Sequence, residues 1–123
     1  MSQMKTVRTA ELIGAALDWA VASAEGVGVF PSASREGFVT CWMVDKPRQQ
    51  YSPSTRWRQC GQLIQSHGGR IGMELRIAEN SASFQQSGIR VGYTANNVLI
   101  AACRAIVAAN LGDEVQIPAE LLP

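Results

Sequence analysis

Leu99-Ile-Ala-Ala-Cys103-Arg-Ala-Ile-Val-Ala-Ala-Asn110-Leu-Gly-Asp-Glu-Val115-Gln-Ile-Pro118 decides the fold. Leu99, Ile100, Cys103, Ile106, Val107 and Leu111 recur at spacings of three and four, which places them on one stripe of a helix. Alanines 101, 102, 105, 108 and 109 fill the flanks, and alanine has the best helix propensity. Only Arg104 and Asn110 are strongly polar in this run, so the helix is apolar nearly all round and belongs at the centre of the molecule. Thr94 or Asn96 is expected to cap its start, and Gly112 stands where a helix-ending residue is expected. Val115-Gln-Ile117 alternates like a short strand that Pro118 limits. The apolar run is too short to cross a bilayer.

Working toward the N-terminus, Ile71-Gly-Met-Glu-Leu-Arg-Ile77 alternates strictly and reads as a strand, with Met73 and Leu75 facing the core. Glu79-Asn-Ser81 reads as a turn. Ala82 to Gln86 is expected to pair back as a hairpin strand with Phe84 inward, and Ile89-Arg-Val91 is a further short strand or an approach to the last helix. Tyr51-Ser-Pro-Ser-Thr55 reads as a helix start, with Ser52 as cap and Pro53 in the first position; Ser54 or Thr55 are alternative caps. The helical turn that follows is expected to run to Cys60 and break near Gly61. Leu63-Ile64 resumes an apolar segment up to His67, and Gly68-Gly69 makes a turn. Phe38 to Val44 and Val27 to Phe30 read as strands, the latter stopped by Pro31, with Ser32 to Gly37 as a polar turn and Asp45 to Gln50 as a loop. Lys5 to Thr9 is a short extended segment. Thr9 is expected to cap a helix running to about Ala24, with Glu11 in its first turn. Leu12, Ile13, Ala16, Leu17, Ala20, Val21 and Ala24 form its apolar stripe, and Gly26 ends it. The sum is an α+β domain, single over residues 1–123, in which a mostly antiparallel sheet is covered by two main helices. The first strand, near Val7, is expected to pair with the last, near Val115.

Composition narrows the function classes. Of 123 residues, 46% are hydrophobic and 17% charged, which suits a globular domain and excludes wholesale disorder. The net charge of +1 supplies no global field for nucleic acid or membranes. Its distribution is uneven: residues 1–45 carry three basic and five acidic side chains, residues 46–112 eight basic and two acidic, and the tail three acidic. Cys41, Cys60 and Cys103 are odd in number and form no Cys-x-x-Cys pair, so zinc and dithiol redox motifs lack support. They read as reduced thiols, Cys103 as a buried one. The N-terminus holds no apolar signal-peptide core, so the expected location is the cytoplasm, with no membrane partner.

His67 is the lone histidine. A Ser/His/acid set needs three groups converging in space, and His67 sits beside Gly68-Gly69, so it reads as a polar turn residue rather than a catalytic base. Gly68-Gly-Arg70-Ile-Gly72 lacks the Lys-Ser/Thr ending of a phosphate-binding loop and precedes a strand, so a turn is preferred to a phosphate cradle. Between Lys46 and Met73 lie Lys46, Arg48, Arg56, Arg58 and Arg70 and no acidic residue, with Tyr51 and Trp57 interleaved. Arginines beside aromatics suit a protein interface, a nucleotide or single-stranded nucleic acid; a merely solvated basic face is the plainer reading. Asp18, Trp19, Tyr51, Ser54, Thr55 and Trp57 would line one pocket if the first helix packs beside the Ser-Pro-Ser-Thr turn. The candidate ligand-binding set is therefore Trp19, Tyr51, Ser54, Thr55, Arg56, Trp57, Arg58 and Arg70. No catalytic residue, metal ligand or cofactor motif is assigned, and the sequence leans against an enzyme.

Several segments together resemble the NinX-like family of small phage and prophage proteins. The similarity rests on Lys5-Thr-Val-Arg-Thr-Ala-Glu-Leu12, Gly14-Ala-Ala-Leu-Asp-Trp-Ala-Val-Ala22, Glu25-Gly26, Tyr51-Ser-Pro-Ser-Thr55 with Trp57 and Gly61, Leu99-Ile-Ala-Ala102, Arg104, Val107-Ala108 and Leu111-Gly-Asp-Glu-Val115, with Pro118, Glu120 and Leu121. Two departures are Arg56, where relatives tend to be acidic, and Gln62, where they tend to carry proline. The resemblance implies a phage accessory protein in the host cytoplasm and supplies no catalytic residues. A host or phage protein is the expected partner. The alternatives are a small molecule or nucleotide, or single-stranded nucleic acid held by the basic 46–73 stretch, and homo-oligomerisation stays open.

Overall fold

The computed structural model describes residues 3–33, 38–46 and 48–122. The expected turn at Ser32–Gly37 therefore lies partly outside the described residues, as does one position of the 45–50 loop. The fold is α+β, with antiparallel sheets. In chain order its elements are β1 (Met4–Arg8), α1 (Gly14–Glu25), β2 (Val29–Ala33), β3 (Val39–Met43), α2 (Trp57–Ile71), β4 (Glu74–Arg76), β5 (Ser81–Gln86), β6 (Ile89–Thr94), α3 (Val98–Leu111) and β7 (Glu114–Pro118). Short 3-10 turns follow β1, β4 and β7. Among the described residues the strands form three small sheets, β1–β7, β2–β3 and β4–β5–β6, and three helices rather than two hold them together.

The apolar α3 is the axle. Val98, Leu99 and every residue from 101 to 108 are buried. It touches α1, α2 and the β5–β6 hairpin at once, which is why it needs no polar face. Its start is capped by Asn97, one residue beyond the nearer expected cap, whose Oδ1 accepts the Ile100 N–H at 3.0 Å. Asn97→Ala should cost about 1 kcal/mol and lower the melting temperature by a few degrees; an unchanged melting curve would show that tertiary contacts alone hold this helix end.

The β1–β7 ribbon pairs Val7 with Val115, the register expected from the sequence. Phe84 faces inward from β5 at 1% exposure, paired with Val91 of β6. The β5–β6 hairpin closes through Ser87 (φ 52°) and Gly88 (φ 79°). Two successive positive φ angles give the mirror-image turn whose twist matches paired strands.

Three local readings are corrected. Thr9 does not cap α1. It sits in a 3-10 turn, and its hydroxyl donates to the Gly112 carbonyl at 2.8 Å, tying β1 to the end of α3. The helix then begins at Gly14, and Ile13, expected in its stripe, is 54% exposed. Pro31 does not stop β2 but lies within it, on an edge strand where a missing N–H costs nothing. The largest change is α2, which runs unbroken through Gly61, Gly68 and Gly69. Each glycine costs a helix interior about 1 kcal/mol. Cys60 and His67 are buried from this helix, Leu63 and Ile64 pack on the core, and α2 lies against α3; that burial outweighs the propensity loss.

Because α2 extends to Ile71, the strand expected over 71–77 shrinks to Glu74–Arg76. Gly72 makes the change of direction at φ +62°, with its missing Cβ position 3.1 Å from the Gln85 side chain. Met73 and Leu75 still pack on the core, whereas Ile77 is 64% exposed.

Candidate functional site

The turn 51–56 and the first half of α2 carry most of the candidate residues. The expected contact between the first helix and the Ser-Pro-Ser-Thr turn is present: the Ser54 N–H donates to Asp18 Oδ1 at 2.9 Å. It makes a lock rather than a pocket. Tyr51, Ser52 and Ser54 are all buried, as is Asp18. Neither Ser52 nor Pro53 starts the helix; the Ser52 carbonyl accepts the N–H groups of Thr55 and Arg56, and α2 begins at Trp57. Gln59 reaches back from α2 to hold the same turn, its Oε1 accepting the Ser52 N–H at 2.7 Å and its Nε2 donating to the Gln50 carbonyl at 3.0 Å.

Asp18 lies within reach of a cluster of buried ionisable groups. Burial pushes its carboxyl from the ordinary 3.8 up to about 6, with the Ser54 N–H and the nearby Ser54 hydroxyl holding it back. Burial, reinforced by the Asp18 charge, pushes the Cys41 thiol up to about 12, and burial raises the Tyr51 hydroxyl. The Cys60 thiol donates to the Leu99 carbonyl, joining α2 to α3, and the adjacent Cys60 thiol together with burial holds Cys103 well above its ordinary value. All three thiols are free and buried. Burial disfavours the nucleophilic thiolate at Cys41 and Cys103.

The remaining candidates separate. Trp19 is half-buried against the core. Thr55 is exposed, and its hydroxyl donates to the Ser52 carbonyl at 3.3 Å. Arg56, Trp57 and Arg58 are all exposed at the start of α2, Trp57 at 56%. Neither arginine has an ion-pair partner among the described residues. Arg70 belongs elsewhere. It lies fourteen positions along the helix from Arg56, roughly 20 Å at 1.5 Å per residue, and donates to Asn110 Oδ1 at 3.5 Å and to His67 Nδ1. His67 is thus no turn residue. It is buried in α2, with Nε2 against Glu25 Oε1 at the end of α1. The Gly68–Gly72 stretch, weighed above as a phosphate cradle, is the last turn of α2 and its left-handed cap.

Beside this face the structure opens two adjoining cavities that share Lys46, Gln49, Gln59 and Gln62. One, of about 540 Å³, is completed by Arg56 and Arg58. The other, of about 340 Å³, continues over Val27, Met43, Tyr51 and Leu63 to Glu25 and Ser66. Gln59, Gln62, Leu63 and Ser66 stand at i, i+3, i+4 and i+7 on one helix face, which makes the two cavities one groove along α2. The stripe is one face only because α2 continues through Gly61 instead of breaking there. Among the described residues no three His, Cys, Asp or Glu side chains are placed to hold a metal ion, and no helix is long and apolar enough to cross a membrane.

No curated protein matches the chain significantly. A family model described as Bacteriophage P22, NinX matches residues 8–110, a span that takes in α1, the 51–56 turn, the exposed start of α2 and nearly all of α3. With well over half of its length matched, the chain belongs to the bacteriophage P22 NinX family of phage proteins.

Proposed function

We propose that this phage protein is a non-enzymatic interaction module that docks on an acidic surface of a phage or host protein through the start of α2. The observation that carries this reading is Trp57, more than half exposed between two arginines that have no carboxylate partner among the described residues. Folded proteins seldom leave tryptophan in water without a use, and tryptophan and arginine are the residues most enriched at binding hot spots. Single-stranded nucleic acid or a nucleotide would call for aromatic platforms along the basic stretch. Tyr51 is buried, which leaves Trp57 alone for stacking and favours a protein partner. The lone histidine is engaged by Glu25 and Arg70, which supports a role without catalysis. Three buried free thiols suit the reducing host cytoplasm as the place of action.

The test is capture from host and infected-cell lysates with tagged protein. Wild type should retain a stoichiometric partner, and the exposed double substitution Trp57→Ala with Arg58→Glu should lose it while melting normally. Retention of the same partner by both proteins would overturn the proposal.

A further inference from the structure

We infer that the groove along α2 holds an extended peptide segment of the partner, with acidic side chains at its basic end and an apolar side chain at the other. The inference rests on the interaction reading above, shares Arg56 and Arg58 with the Trp57 face, and adds the groove residues Lys46, Gln49, Gln62 and Leu63. Lys46, Arg56 and Arg58 converge on one half of the groove, which contains no acidic residue. The other half changes character, with Val27, Met43 and Leu63 offering apolar surface. The single acid there, Glu25, is already against His67. Positive charge in one half and apolar surface in the other specify an occupant of matching polarity: carboxylates, then a hydrocarbon side chain. From Arg56 to Ser66 the helix rises roughly 15 Å, the length of four to five extended residues. The exposed amides of Gln49 and Gln62 line the join, where a bound main chain would need both donors and acceptors. Gln59 is already committed to the 50–52 turn, which makes the groove wall rigid before anything binds.

The inference is tested by fluorescence anisotropy on the full chain. The probes are fluorescein-labelled Glu-Glu-Ser-Leu-Ser, its reversed sequence, and a control with both glutamates replaced by lysine. One acidic peptide should bind saturably, weaken as salt is raised, and be ignored in its lysine form. Gln62→Glu places a carboxylate at the join, and Arg58→Glu reverses a charge at the basic end. Both positions are exposed, so both variants should melt like wild type and bind at least roughly tenfold more weakly, a difference of about 1.4 kcal/mol. Equal binding of acidic and basic peptides, no peptide binding up to about 1 mM, or saturable binding of adenosine monophosphate in place of peptide would each overturn the inference. A lysate partner lost by Trp57→Ala but kept by Gln62→Glu would overturn the groove while leaving the α2 face standing. Loss with both would support the two together.

Discussion

Asp18→Asn should make the protein more stable at pH 8 and leave its stability nearly unchanged at pH 4. Asp18 is 5% exposed, and burial raises its carboxyl in the folded state from 3.8 to about 6. A raised value means that the folded state prefers the protonated acid. The stabilisation this gives is full below pH 3.8 and is lost as the pH rises through about 6. A shift of this size corresponds to roughly 3 kcal/mol between the two limits. Asparagine keeps the shape and keeps an oxygen to accept the Ser54 N–H, but it cannot ionise. Its amide also offers a donor near the Ser54 hydroxyl, which is buried without a well-formed partner. Urea denaturation across pH 4 to 8 should show wild type falling relative to the variant, with most of the change between pH 4 and 7. Parallel curves would mean that the charge is solvated or compensated and that Asp18 is not the costly group its burial implies. Asp18→Ala separates the two roles of the side chain: it removes the charge but strands the Ser54 N–H, and should lose much of the gain.

Arg104→Leu should destabilise the protein by roughly 2–3 kcal/mol. Arg104 is 9% exposed in the middle of α3. Its Nε donates to the Leu12 carbonyl at 2.8 Å and a terminal nitrogen to the Thr94 carbonyl at 2.9 Å. Burial lowers its pKa, yet no carboxylate among the described residues neutralises it. It acts as a fixed fork that ties the approach to α1 and the end of β6 to the central helix. Leucine removes the cost of burying a guanidinium but strands both carbonyls. Leu12 is 1% exposed, so water cannot replace the lost donor there, and the second effect wins. Arg104→Lys should recover less than half of the loss, because one ammonium cannot reproduce the planar fork. Chemical denaturation reads both. A loss below about 0.5 kcal/mol for leucine would show that the loop and strand end are held by packing alone.

The sequence was most legible where one signal dominated. The stripe from Leu99 to Leu111 gave α3, the alternation around Phe84 gave an inward-facing hairpin strand, and Val7 found Val115. It was least legible where a local preference met a larger tertiary gain. The glycines at 61, 68 and 69 argue against a helix one residue at a time, and nothing local records that α3 waits to cover Cys60 or that Glu25 of α1 waits for His67. The same blindness hid the groove, whose polar wall exists only if α2 is continuous. Thr9 illustrates a second kind of limit. Its hydroxyl suits a cap by every local rule, yet its partner is the Gly112 carbonyl, more than a hundred residues away.

Composition and periodicity alone determined an α+β chain built on a central apolar helix, a core thiol at Cys103, and a basic stretch free of acid between Lys46 and Met73. Those properties follow from side-chain chemistry and helical or strand spacing, which are local. Only the folded arrangement decided that Asp18 would be sealed under the 51–56 turn, that Arg70 would leave the other arginines for His67, and that Trp57 would stand in water beside an open groove. Burial and cavity shape depend on which distant surfaces meet. That is settled by the packing of three helices together, and no window of sequence contains it.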